Sequence, residues 1–140
     1  MPKASTSPNL KLMIFVDTNY FLRFLLKDNK PQHLEAKQLM LGGATGKLKL
    51  FTSTIVFFEI YWVLTSYYGK NKTELVDTLK EILNLRFIEI QERPFLTISL
   101  KIFSQNNISL EDCYNLIYAK SHNAKAFKTF DLKLGRIFKK

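Results

Sequence analysis

Short apolar runs alternate with segments of helical period from residue 12 onward, and that alternation limits the fold more than any other feature. "LMIFV" (12–16) is a continuous apolar run, as expected for a strand covered on both faces. "NYFLRFLLKD" then has helical spacing, and "PQHLEAKQLM" carries Pro31 at a permitted first-turn position. That helix is expected to stop at Gly42-Gly43. "KLKLF" alternates like a short strand, and Thr52 or Ser53 can cap "TIVFFEIYWVLTSYY", a helix apolar nearly all round and so expected to be mostly buried. Asn71 with Glu74 is a capping pair for an amphipathic helix carrying Leu75, Leu79, Ile82 and Leu83. "RFIEI" reads as a strand, Pro94 opens a helix through Phe103, and Ser109 opens one to Ser121. "AKAFKTF" (124–130) reads as a last strand before Asp131. Strands and helices in alternation predict an α/β fold, a three-layer sandwich with a central parallel sheet and helices on both faces.

A chain of 140 residues has the length of one domain. The polar "MPKASTSPNLK" reads as a flexible leader over 1–12, with 13–140 as a single domain; Met13 can serve as an alternative start. The net charge of +9 is spread along the chain, which points to a polyanion, first of all nucleic acid. Cys113 is the single cysteine, which excludes an internal disulfide framework and fits a reducing cytoplasm. With only His33 and His122 besides, a structural zinc site is not expected. No apolar run reaches the roughly 18 residues that span a bilayer, so no membrane association is expected.

Four acids stand out against this background. Ligands of open α/β sheets bind beyond the carboxyl ends of the strands, and Asp17 follows the first expected strand as Asp131 follows the last. Glu59 lies among Phe57, Phe58, Ile60, Tyr61 and Trp62, where a buried carboxylate is costly unless paired or bound to a cation. Asp112 falls in the first turn of "SLEDCYNLIYAK". Each also has a structural reading: Asp17 and Asp131 as helix caps, Asp112 at capping-box spacing from Ser109, Glu59 on a narrow exposed stripe. If the four converge they cannot stay ionised unaided, since two carboxylates about 4 Å apart repel by roughly 4 kcal/mol at an effective dielectric near 20. Magnesium or manganese, hard ions that prefer oxygen, would remove that repulsion and equip the site to hydrolyse a phosphodiester.

The segments "MIFVDTNYFLRFLL", "TSTIVFFEIYWVL", "SLEDCYNLIYAK" and "FKTFDLKL", in that order over residues 13 to 134, resemble the PIN domain, and specifically the VapC-type toxin ribonucleases of toxin–antitoxin pairs. The resemblance implies Asp17, Glu59, Asp112 and Asp131 as a metal-binding, catalytic quartet. Thr129 would support it, and Thr18 and Asn19 would shape the site. It implies one or two Mg2+ or Mn2+ ions, and a metal-activated water that cuts RNA to a 5′-phosphate and a 3′-hydroxyl. It further implies a homodimer and a cognate antitoxin covering the active groove. The tail "LKLGRIFKK" departs from the family pattern, being short for a closing C-terminal strand.

Other signals carry less. "GGATGK" (42–47) is one residue short of a phosphate-binding loop, has Leu48 where a hydroxyl is needed and follows a helix, so it reads as a helix stop and turn. Cys113 and His122, about 900° apart along one helix, lie on opposite faces. His33 is expected to be solvated, and "YWVLTSYYGK" is rich enough in large apolar groups to suggest self-association. Two rivals to the ribonuclease reading follow from the same residues. One is a non-catalytic RNA-binding or regulatory domain with structural acids. The other is a phosphoryl-transfer domain with Asp17 as nucleophile, against which Asn19 breaks the needed Asp-x-Asp.

Overall fold

The computed structural model describes residues 12–140, so the leader expected at the N-terminus lies, apart from Leu12, outside the described residues. In chain order the elements are β1 (Met13–Phe15), α1 (Thr18–Leu26), α2 (Lys30–Ala44), β2 (Lys49–Thr52), α3 (Thr54–Ser66), α4 (Lys72–Leu83), β3 (Ile88–Ile90), α5 (Arg93–Gln105), α6 (Leu110–Ser121) and α7 (Leu132–Lys139). The architecture is α/β, as the alternation predicts. The strands pair in parallel in the order β1-β2-β3, with Ile14 beside Leu50 and Leu50 beside Ile88. Two helices make each crossover, which is what parallel pairing requires of the connections.

Local signals set most helix starts. Asn29, Ser53, Asn71 and Ser109 each accept a backbone N–H of the following first turn, and Asn71 with Glu74 forms the full reciprocal capping box. The core runs from Val16, Leu50 and Ile88 on the sheet through Phe21, Phe57, Ile60, Leu79 and Leu96 to Leu110 and Cys113. Arg93 is spent on structure: its guanidinium donates to the carbonyls of Leu83, Leu85 and Ile88, closing the end of α4 onto β3.

Four expectations need correction. The strand expected at 124–130 does not form. Asn123 takes a left-handed conformation (φ 59°) as α6 ends, and Phe127 packs its ring on Phe138 of α7 at 5.3 Å, so the segment's apolar residue is satisfied by a helix and not by the sheet. The outer edge of β1 is left open, and Met13 and Phe15 are 59% and 47% exposed where cover on both faces was expected. The helix α2 does not stop at Gly42-Gly43 but runs through both to Ala44, where the Thr45 hydroxyl donates to the Leu41 carbonyl. Those glycines are there for close approach: a Cβ on Gly43 would stand 2.6 Å from Leu50 Cδ1 and 2.9 Å from Phe87 Cδ2. Finally, α3 buries only Val56, Phe57, Ile60 and Leu64, while Ile55 and Trp62 are 69% and 63% exposed. The short tail forms α7, pinned by buried Leu134.

Candidate active site

The carboxyl ends of the three strands meet the N-termini of the helices that follow them. At the end of β1, the buried Thr52 hydroxyl of β2 donates to the Val16 carbonyl at 2.8 Å and fixes the backbone before Asp17. Asp17 caps α1, its Oδ1 accepting the Thr18 N–H at 2.8 Å. The Thr18 side chain is buried, and its hydroxyl donates to Glu59 Oε2 on α3 at 2.6 Å, across 41 residues of chain. One threonine therefore joins the first two acids. Asp17 Oδ2 and Glu59 Oε1 are left without a protein partner among the described residues.

Glu59 is exposed, not buried, so the narrow-stripe alternative describes its setting. It lines an open groove of about 520 Å³ between α3 and α6, with Ile55, Phe58, Trp62 and, from the far wall, Glu111. Asp112 is half-buried in the first turn of α6, where its backbone N–H donates to Ser109 Oγ. Burial pushes the neighbouring Cys113 thiol up to about 12, and the negative charge of Asp112 adds to that shift. Asn19 is exposed on α1 and lines a separate small hollow with Arg23 and Glu35. Asp131 is exposed at the head of α7, its Oδ1 accepting the Leu134 N–H, while its own N–H donates to Thr129 Oγ1. Because 124–130 is not a strand, Asp131 does not end one.

The structure thus brings together Asp17, Thr18 and Glu59. Among the described residues no three His, Cys, Asp or Glu side chains stand close enough to hold a metal ion. A magnesium site does not require three, since that ion commonly keeps several waters and takes one or two carboxylates beside the substrate's phosphate. Two hard carboxylates joined through one threonine, each with a free oxygen, fit that habit; Asp112 and Asp131 are not part of the joined pair.

Two carboxylates went unnoticed in the sequence. Glu111 shares the groove with Glu59, and its signal was its place one residue before Asp112 in a helix first turn. Glu92 follows β3 at the same sheet edge in a left-handed conformation (φ 57°). It accepts the Thr54 hydroxyl at 2.7 Å and the Tyr114 hydroxyl at 2.9 Å, and burial followed by that bond raises Tyr114 to about 12. No local spacing signals it, because its partners are on α3 and α6.

The PIN domain family profile matches residues 14–140. The chain belongs to the PIN domain family. This PIN domain is 27% identical, over 131 residues, to the VapC ribonuclease of Aquifex aeolicus (strain VF5), a match that covers 91% of each chain. No solved structure matches it. Among its described residues no helix is long and apolar enough to cross a membrane.

Proposed function

We propose that this PIN domain is a magnesium- or manganese-dependent endoribonuclease, the cytoplasmic toxin of a type II toxin–antitoxin pair. The observation that carries the reading is the Asp17–Thr18–Glu59 linkage at the carboxyl edge of the sheet, in a PIN domain similar along its length to a VapC ribonuclease. Asp17 and Glu59 would hold the ion, with Asp112 and Asp131 as the further acids of the quartet. A divalent ion held there supplies Lewis acidity at a phosphoryl oxygen and an acidified water. The chain's own part is positional. Thr52 fixes the backbone before Asp17, and Thr18 orients both carboxylates at once, so neither needs reorganising when the phosphodiester arrives. Thr129 orders the turn that presents Asp131. Cleavage would leave a 5′-phosphate and a 3′-hydroxyl. A cognate antitoxin would cover the groove between α3 and α6, with Ile55 and Trp62 as its apolar contacts, and the exposed Tyr67 at the end of α3 suits a homodimer contact.

The deciding variant is Asp17→Asn. Asparagine caps a helix as well as aspartate does, so the fold and melting temperature should be retained. RNA cleavage by antitoxin-free protein with magnesium or manganese should fall roughly a hundredfold or more. Wild-type protein that cleaves no RNA with either metal would defeat the proposal. A second reading, a non-catalytic RNA-binding PIN domain, draws on the capping bond that occupies Asp131 and on the want of a three-acid group among the described residues. It expects RNA binding to survive neutralisation of the acids and calorimetry to record no metal uptake.

A further inference from the structure

Charge on this molecule is segregated. Among the described residues, the groove beside Glu59 is lined by two acids and no cation. A second groove, about 620 Å³, runs between α4 and α5 and is lined by Lys80, Arg86 and Lys101, with the side-chain amides of Asn84 and Gln105 as further donors. None of the described residues lining it is acidic. The two ion pairs among the described residues, Arg23–Asp28 and Lys70–Glu74, involve none of these three cations. All three are exposed, and Arg86 adds its positive field to the burial that pulls the Arg93 guanidinium below its usual range. Arg86 also borders an adjoining hollow of about 410 Å³ that contains Lys49 and one acid, Glu89. The cationic surface therefore continues past Arg86 toward the N-terminal ends of β2 and β3, the opposite end of the sheet from Asp17.

We propose that the α4–α5 groove is a binding track for the phosphodiester backbone of single-stranded RNA, separate from the cleaving edge. The proposal rests on the ribonuclease reading for its choice of RNA. The chemistry is that of sequence-independent backbone binding: unpaired Lys and Arg release condensed counterions from phosphates, and neutral donors bind the phosphate oxygens. An acidic metal-binding edge repels a polyanion until the ion is present, so a separate cationic surface is what would hold the strand beforehand. The +9 net charge favours RNA over a neutral partner.

The test uses the full chain with Asp17→Asn as parent, so that RNA survives the measurement. Binding of a fluorescein-labelled uridine oligomer, about twenty nucleotides long, is followed by anisotropy from about 50 to about 200 mM salt. Each single-strand phosphate contact contributes roughly 0.7 to the log–log salt slope, so Lys80→Gln, Arg86→Gln and Lys101→Gln combined should flatten it by about 2. Over that fourfold salt range the parent should lose roughly 20-fold more affinity than the triple variant. A slope unchanged by the three substitutions overturns the proposal. So does an equal flattening from Lys30→Gln, Lys37→Gln and Lys47→Gln combined, which would make the effect one of total charge. If the parent binds poly-glutamate through these residues and not RNA, the groove belongs to an acidic protein and the proposal also falls. Groove-dependent RNA binding by a wild-type protein that cleaves nothing supports the track and sinks only the catalytic reading.

Discussion

At the scale of single residues, Thr18 is the group on which the geometry of the edge turns. Its backbone N–H orients Asp17 and its hydroxyl orients Glu59, so two acids from different elements share one anchor. Replacing it with valine keeps the shape and removes the hydroxyl. The stability cost should be about 1 kcal/mol, since the lost bond ends on an exposed carboxylate. The larger effect should be on metal affinity, weakened about 10- to 100-fold by calorimetry, with Thr18→Ser restoring it. A Thr18→Val protein that binds metal as tightly as wild type would show that Glu59 needs no such positioning. The position of Asp17 between β1 and α1 was legible, since it follows an apolar run and precedes a helical period. The exposure of Glu59 was only one of two readings, because the stripe it shares with Ile55 and Trp62 is itself apolar and hides the helix's outer face from a hydropathy reading.

At the scale of elements, the close packing of α2 on the sheet depends on a glycine where the sequence suggests only a stop. Gly43→Ala should gain up to roughly 1 kcal/mol of helix propensity. The added methyl, however, meets Leu50 and Phe87 at less than 3.0 Å, and such overpacking costs typically 1–3 kcal/mol. The net expectation is destabilisation in urea unfolding; a stabilised variant would mean that Leu50 yields freely. The capping residues show the opposite case. Ser53, Asn71 and Ser109 start their helices where local spacing places them, because a cap bonds within its own first turn and needs nothing distant. The segment 124–130 fails for the complementary reason. A strand needs a partner, and Phe127 finds Phe138 on α7 instead.

At the scale of the whole molecule, the sole tryptophan is a probe of assembly. Trp62 is 63% exposed on the outer face of α3, so emission from dilute protein should be that of a solvated indole. If a cognate antitoxin covers the groove that Trp62 lines, emission should move to shorter wavelength as the partner is added, and Trp62→Glu should weaken the complex in sedimentation. A complex with unshifted emission would place the contact elsewhere. Charge segregation belongs to this scale too, with two acids in the groove beside Glu59 and three cations between α4 and α5. The sequence by itself determined the α/β class, the parallel character of the sheet, most helix starts and the family to which the chain belongs, because each depends on period, caps or motif order along the chain. Tertiary structure alone decided that Thr18 joins Asp17 to Glu59, that Glu92 is held by α3 and α6, and that Lys80, Arg86 and Lys101 line one groove. Thr18 lies 41 residues from Glu59, Glu92 lies 38 and 22 residues from Thr54 and Tyr114, and Lys101 is on a different helix from Lys80, so only the packing of helices on the sheet sets the distances between them.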